Sequence, residues 1–224
     1  MDRIFDFHIE KLKTRLIKMC SLVDEQVDFA IKSIEEQNRE LADLVISRDK
    51  IVDKYDIKIE RICQKLFALN QPVAMDLRLV MSALKINSNL ERIGDLAKNI
   101  AHQSKDFEFL PNYFNKLHYS EITFIVRDMI KKAIDAFITN DSELVRVVIK
   151  SDDKLDELVK EDSKYLIELM HESKDNINSA ILFYQVFQEL ERLGDHATNI
   201  AEEVFFIVKA QLIKHRNELA DQES

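Results

Sequence analysis

Leu90-Glu91-Arg92-Ile93-Gly94-Asp95-Leu96-Ala97-Lys98-Asn99-Ile100-Ala101 and Leu190-Glu191-Arg192-Leu193-Gly194-Asp195-His196-Ala197-Thr198-Asn199-Ile200-Ala201 are two copies of nearly one string, set one hundred residues apart. They hold the only two glycines of the 224-residue chain. Leu90, Ile93, Ala97, Ile100 and Ala101 recur at helical spacing and define a buried stripe, so the first copy reads as helix, and the second reads the same way. A glycine inside a helix costs about 1 kcal/mol relative to alanine. A chain that otherwise avoids glycine gains something at these two points, and the expected gain is close approach by a neighbouring helix or a ligand. Glu91 with Asp95, and Glu191 with Asp195, stand at i and i+4, which puts each carboxylate pair on one helical face.

The repeat reaches beyond these strings. Ala30-Ile31 aligns with Ala133-Ile134, Glu40-Leu41 with Glu143-Leu144, and Asp49-Lys50-Ile51-Val52-Asp53 with Asp152-Asp153-Lys154-Leu155-Asp156, all at an offset of 103. Apolar periodicity and breaks at turn or capping residues predict helices over 4–36, 39–69, 73–105, 115–139, 141–171 and 175–216. Pro72 precedes the third, and Asp141 or Ser142 caps the fifth. The least periodic stretch, Ser104 to Asn115, contains Pro111 and joins the halves. The expected fold is all-α: two tandem, similar three-helix bundles, residues 1–107 and 108–224, each carrying an aspartate pair on its second helix and a glutamate-aspartate pair on its third.

Composition agrees. Two glycines, two prolines, no tryptophan, 33% charged and 46% hydrophobic residues suit long helices with short connections. A net charge of −9 without a run of Lys and Arg speaks against a nucleic-acid surface and against docking on anionic lipid. No apolar stretch approaches the length that spans a bilayer, and Met1 to His8 is too charged for a signal peptide, so a cytoplasmic protein, peripheral to the membrane at most, is expected. Cys20 and Cys63 match no metal-finger or CxxC spacing and are expected as buried thiols.

The chemistry lies in the carboxylates. Asp49, Asp53, Asp56 and Glu60 run down one face of the second helix, away from Ile51, Val52, Tyr55, Ile59 and Ile62. Glu91, Asp95 and Asn99, with His102, form a similar stripe on the third, repeated by Glu191, Asp195, Asn199 and Glu202. Both are expected on outer faces. Crowded carboxylates raise one another's pKa unless a cation neutralises them, and oxygen donors of this kind suit Mg²⁺, Ca²⁺ or Mn²⁺, with bridging carboxylates able to hold more than one iron. Gly94 and Gly194 would leave room for the ion and its waters. The bland reading is a solvated acidic face, common in a chain with 41 acidic residues; repetition of the pairs in both halves is what weighs against it.

Other signals are weaker. Glu168-Leu169-Met170-His171 is a single Glu-x-x-His string, where ferritin-like di-iron bundles use two. His8, His118 and His215 are scattered; His102 and His196 lie in or just after the motif. Phe183, Phe187, Phe205 and Phe206 read as core or interface, and apolar residues near Phe205 and Phe206 could serve a dimer. No nucleophile triad, phosphate loop or nucleotide fingerprint is present, so a catalytic role is not expected. A metal-dependent phosphoesterase or oxidase and a purely structural scaffold are the rival readings.

Glu-Arg-Ile/Leu-Gly-Asp followed by Asn-Ile-Ala, twice, with Asn70-Gln71-Pro72-Val73-Ala74-Met75-Asp76-Leu77-Arg78 before the third helix, resembles the paired signature of the PhoU family, regulators of bacterial phosphate uptake. The resemblance spans the whole chain. It implies a cytoplasmic homodimer of paired three-helix bundles that represses the phosphate-starvation response, linking the ATPase subunit of a phosphate-specific ABC transporter to a sensor histidine kinase. It further implies metal ions, multinuclear iron among them, with Mg, Mn, Ca or Zn as alternatives, on Asp49 with Asp53, Glu91 with Asp95, Asp152 with Asp156, and Glu191 with Asp195. The second half departs from the pattern: it lacks the Gln-Pro segment, and Asn178 stands where Arg78 does, so the halves need not be equivalent.

Overall fold

A computed structural model describes residues 2–70 and 72–211. Among the described residues it contains six long helices and no strands: α1 (Asp2–Glu35), α2 (Arg39–Asn70), α3 (Ala74–Ser104), α4 (Tyr119–Thr139), α5 (Ser142–Glu172) and α6 (Ile177–Lys209). The tail of the sixth helix predicted from sequence, beyond residue 211, and His215 lie outside the described residues. Leu12, Leu16, Met19, Val23, Val27, Ala30 and Ile34 of α1 are all buried, the stripe that a 3.6-residue period requires.

The ends of the helices repeat along with their faces. Gln37, at φ 49°, closes α1, and Asn38 then caps α2, its Oδ1 accepting from the Glu40 and Leu41 amides at 3.1 and 3.2 Å. One repeat later Asn140, at φ 55°, closes α4, and the Asp141 carboxylate accepts from the Glu143 amide at 2.8 Å. Each pair stops one helix in the left-handed region and starts the next with a side-chain oxygen.

The fourth helix begins later than the periodicity predicts. Residues Phe114–Lys116 form a single 3-10 turn, and α4 starts at Tyr119. The cause is tertiary. Asp162 of α5, 2% exposed, accepts from the His118 amide at 2.8 Å and faces the His118 Nδ1 at 2.8 Å, so a side chain from another helix fixes the start of α4.

α1, α2 and α3 pack on one another, as do α4, α5 and α6, and the two groups join along α3 with α6 and α1 with α4. Ser82 donates to Glu203 at 2.9 Å and Asn99 to Glu189 at 3.4 Å, which makes α3 and α6 antiparallel. Tyr119, fully buried, donates to the Ile31 carbonyl of α1 at 3.3 Å. Phe107, at the end of the expected first half, stacks on Phe183 of α6 with centroids 4.7 Å apart, and Phe114 and Tyr119 extend that aromatic cluster. Phe205, expected as core or interface, is 2% exposed and lies in the core. Cys20 and Cys63 are free and buried, and burial pushes each thiol up to about 12.

The two glycines face helices, and the expectation that they leave room for an ion is corrected here. A Cβ on Gly94 would lie 3.2 Å from Val52 Cγ1, and one on Gly194 would lie 2.3 Å from Leu155 Cδ2. Val52 and Leu155 are equivalent positions of the repeat, so each half uses its glycine to seat an aliphatic side chain of the preceding helix against backbone.

Gly194→Ala is therefore expected to destabilise the fold by about 1–2 kcal/mol, the overpacking of a fully buried Leu155 outweighing the helix-propensity gain of about 1 kcal/mol. Gly94→Ala should cost less, because Val52 has only a few tenths of an ångström to yield. Urea unfolding of both variants, with Gly194→Ala/Leu155→Ala to measure coupling, checks this; a Gly194→Ala variant as stable as the parent would mean that Leu155 turns aside freely.

Candidate metal-binding faces

Seating Val52 on Gly94 brings α2 alongside α3 at the level of the carboxylates, and Leu155 on Gly194 does the same for α5 and α6. In the first half Asp53 and Asp56 of α2 act electrostatically on Glu91 of α3, together with its own helical neighbour Asp95. In the second, Asp152 and Asp156 of α5 act on Glu191 of α6, together with Asp195. Both glutamates are held above the ordinary carboxylate range, first by partial burial and then by these like charges, with Arg92 opposing the shift at Glu91. The structure thus brings the two stripes of each half together, with the equivalent Asp53 and Asp156 acting in both and the second aspartate differing, Asp56 in one half and Asp152 in the other.

Two of the eight residues are not where sequence places them. Asp49 and Asp152, expected on outer faces, are 5% and 4% exposed. They sit at the bottom of the grooves: Asp152 Oδ1 would be 3.5 Å from a Cβ on Gly194. Helical periodicity assigned them to the polar stripe, but the neighbouring helix covers that edge of the stripe. Asp49 meets a cation there, with Lys98 Nζ at 2.5 Å from its Oδ2.

Around this floor the polar groups divide. Asp56, also held above its usual range by burial and by Glu60, accepts from Asn87 Nδ2 at 2.5 Å. Arg92 spans Glu91 at 3.6 Å and Asp95 at 3.5 Å. In the second half Gln188 donates to Glu191 at 3.3 Å, and Arg192 turns to Glu189 at 3.3 Å. Lys98 and Glu189 were not singled out from sequence; the Lys98 to Thr198 and Asn89 to Glu189 differences between the repeats were the available signals.

The donor set suits a hard cation: carboxylate oxygens from two helices, partly buried and mutually repelling. Among the described residues no three His, Cys, Asp or Glu side chains converge on one point at ligating distance, so a bound ion would draw its donors in by side-chain rotation. The weaker candidates fall elsewhere. His196 lies between the bundles, its Nδ1 2.8 Å from Asn89 Oδ1, and burial followed by Arg192 and Arg92 keeps its pKa low. His102 is exposed, and so are Glu168 and His171, which excludes a ferritin-like site aimed into the bundle core. A separate cleft lined by Phe109, Pro111, Tyr113 and Asn178 contains none of the eight acids.

The raised glutamates have a pH consequence. A carboxyl whose folded pKa lies above its unfolded value favours the fold at low pH, and that contribution is lost as pH rises through the folded pKa. In metal-free buffer Glu191→Gln is expected to stabilise the protein at pH 7, by less than about 1 kcal/mol because the group is part-exposed. The gain should vanish as pH falls through the raised range of Glu191 towards the ordinary carboxylate value. Thermal melts of the two proteins across pH 4–7 check this, and a constant difference would show that the cost of ionising the part-buried Glu191 among like charges is not its source.

Comparison with known proteins finds relatives along nearly the whole chain. The PhoU domain family model matches residues 16–104 and 119–204, one match per bundle. A phosphate-specific transport system accessory protein PhoU homolog of Aquifex aeolicus is 36% identical over 209 residues, covering 93% of this chain and 95% of that protein. One from Clostridium acetobutylicum is 31% identical over 218 residues, covering 94% and 97%. The crystal structure of PhoU from Pseudomonas aeruginosa superposes with a TM-score of 0.89 at 30% identity, covering 92% of this chain and all of that one. The phosphate transport system regulatory protein PhoU from Streptococcus pneumoniae gives 0.85 at 25% identity, over 94% of this chain. With one match on each bundle and relatives aligned over nearly their full length, the chain belongs to the PhoU family.

Proposed function

We propose that this chain is a non-catalytic regulator of phosphate uptake, an adaptor that represses the phosphate-starvation response by joining the ATPase subunit of a phosphate-specific ABC transporter to a sensor histidine kinase. The observation that carries the reading is the duplicated acidic groove, present in both halves of a chain whose relatives are named as accessory proteins of phosphate-specific transport. Such names belong to accessory and regulatory proteins rather than enzymes, and the grooves offer acids without an accompanying nucleophile or nucleotide-binding loop. Among the described residues no helix is long and apolar enough to cross a membrane, in keeping with a cytoplasmic homodimer that meets its partners at the membrane surface.

In this reading Asp49, Asp53, Glu91 and Asp95 on one side, and Asp152, Asp156, Glu191 and Asp195 on the other, are the residues that would hold metal, whether iron, Mg²⁺, Mn²⁺, Ca²⁺ or Zn²⁺. Bound metal would supply positive charge that relieves repulsion among the acids and ties the paired helices together. The protein's own part is to present a stiff acidic face. An adaptor shifts its partner between signalling states only by binding one state better than the other, so the stiffness matters as much as the charge.

Two measurements test the proposal. In a host from which the gene is deleted, a phosphate-starvation reporter should be expressed even in phosphate-rich medium, and the wild-type chain should silence it; expression unaffected by the deletion would overturn the regulatory role. Protein purified without chelator should carry metal that the Glu91→Ala/Asp95→Ala/Glu191→Ala/Asp195→Ala variant lacks, with helix content retained by circular dichroism. Equal metal in both would overturn these acids as ligands.

A further inference from the structure

Past the acidic groove α2 runs on for about four more turns, residues 57–70, and its polar bonds do not follow. The earlier part of the helix is tied to both neighbours. Asp43 bonds Lys105 at 2.6 Å, the Val45 carbonyl accepts from Gln26 at 3.3 Å, Arg48 donates to Glu25 at 2.5 Å, and Asp56 accepts from Asn87 at 2.5 Å. Among the described residues no side chain of 57–70 makes a hydrogen bond or ion pair to another helix. Apolar contact holds this stretch: Ile59, Ile62, Cys63 and Leu66 are buried, while Leu69, Val73 and Met75 at its end stay exposed.

The matching turns of α5 are fastened. Asp162 stands where the repeat has Ile59; it accepts from the His118 amide at 2.8 Å and lies 2.8 Å from His118 Nδ1. Further along, the Leu169 carbonyl accepts from Asn176 Nδ2 at 3.1 Å. The core beneath differs too. Leu16, Ala83 and Asn87 occupy the positions that Tyr119, Phe183 and Phe187 hold in the second bundle, and all six are buried. The three aromatic rings lie with centroids 6.2 to 6.4 Å apart, a cluster that buries a large apolar area. In their place the first bundle has a leucine, an alanine and an amide whose Oδ1 finds no partner in the protein, and a polar atom buried in that way weakens the packing around it.

We infer that residues 57–70 of α2 form an opening segment: they come away from α1 and α3 as a unit while the earlier turns of α2 and the whole second bundle stay closed. Local opening is cheapest where a stretch buries little apolar area and has few bonds across to its neighbours, and both conditions meet past Asp56, the last residue of α2 bonded to another helix. Opening uncovers Ile59, Ile62 and Leu66 beside the exposed Leu69, which gives one end of the chain a transient apolar surface. The second bundle has no equivalent, because Asp162 clasps α5 to the start of α4 and the aromatic cluster fills its core. The duplicated halves thus differ in motion, one built to open at its end and one built to stay shut. This inference is independent of metal binding.

The test is native-state hydrogen exchange of the full-length wild-type chain, read by mass spectrometry, with N-ethylmaleimide labelling of its two native thiols as a second probe. Amides of residues 59–69 should exchange about tenfold or more faster than those of 162–172. Cys63 lies in the opening segment, whereas Cys20 lies on α1 between Arg15, set over Tyr55, and Glu25, bonded to Arg48. Burial pushes both thiols up to about 12, so ionisation favours neither, and Cys63 should be modified about tenfold or more faster than Cys20, each rate taken relative to the urea-unfolded chain. Equal exchange of the two stretches, or Cys63 modified no faster than Cys20, would overturn the opening segment. Asp162→Ala should speed exchange of 162–172 by about tenfold and leave 59–69 unchanged; exchange of 162–172 unaltered by it would overturn Asp162 as the clasp.

Discussion

Val52 against Gly94, and Leu155 against Gly194, are the contacts on which the paired acidic faces depend. With no Cβ on the glycine, an aliphatic side chain of the second helix in each half rests directly on the backbone of the third. Ridge and groove then meet at short range, and residues one turn away on either helix are carried into each other's field. That is why Asp53 and Asp56 act on Glu91, and why Asp156 and Asp152 act on Glu191. A bulkier residue at the glycine would separate the helices and, with them, the acids. Packing and electrostatics are thus set by a single choice of residue, made twice.

Repulsion among partly buried carboxylates is a standing cost, and the two halves meet it differently. The first half spreads its negative charge over internal cations, Lys98 on Asp49 and Arg92 across Glu91 and Asp95. The second turns its arginine to Glu189 on the face towards α3. Glu189 also accepts from Asn99 of α3 at 3.4 Å. Glu189 thus draws Arg192 into the junction between the bundles. Glu203 with Lys85 at 2.7 Å, and His196 with Asn89, continue that polar seam along the antiparallel α3 and α6.

The bundles are joined by more than this seam. Tyr119 and Phe183 anchor an aromatic cluster that takes in Phe107 from the connecting segment, and the Tyr119 hydroxyl reaches the backbone of α1. Arg127 of α4 lies 3.3 Å from Asp28 and 3.5 Å from Glu35 of α1. Burial of this extent between halves favours a fixed relative orientation.

Duplication, helix class and the positions of the turns could be read from the chain, because each rests on local chemistry. Apolar spacing marks the buried stripe of any one helix, Asn38 and Asp141 cap through their own neighbouring amides, and i, i+4 spacing alone puts Glu91 with Asp95 on one face. What faces that stripe is another matter. A helical period says which residues share a side, but not how the adjacent helix is rotated or how far its edge extends, and so Asp49 and Asp152 read as exposed although α3 and α6 cover them. The late start of α4 depends on Asp162, distant in sequence. Whether the glycines served a ligand or a helix, and which carboxylate Lys98, Arg92 and Arg192 would reach, depended on long side chains choosing among partners brought close only by packing. The sequence by itself determined the helices, their repetition and the acids on them; the tertiary structure decided which acids meet, which are buried and which already have a cation, because those are properties of distances between helices and no periodicity within one helix encodes them.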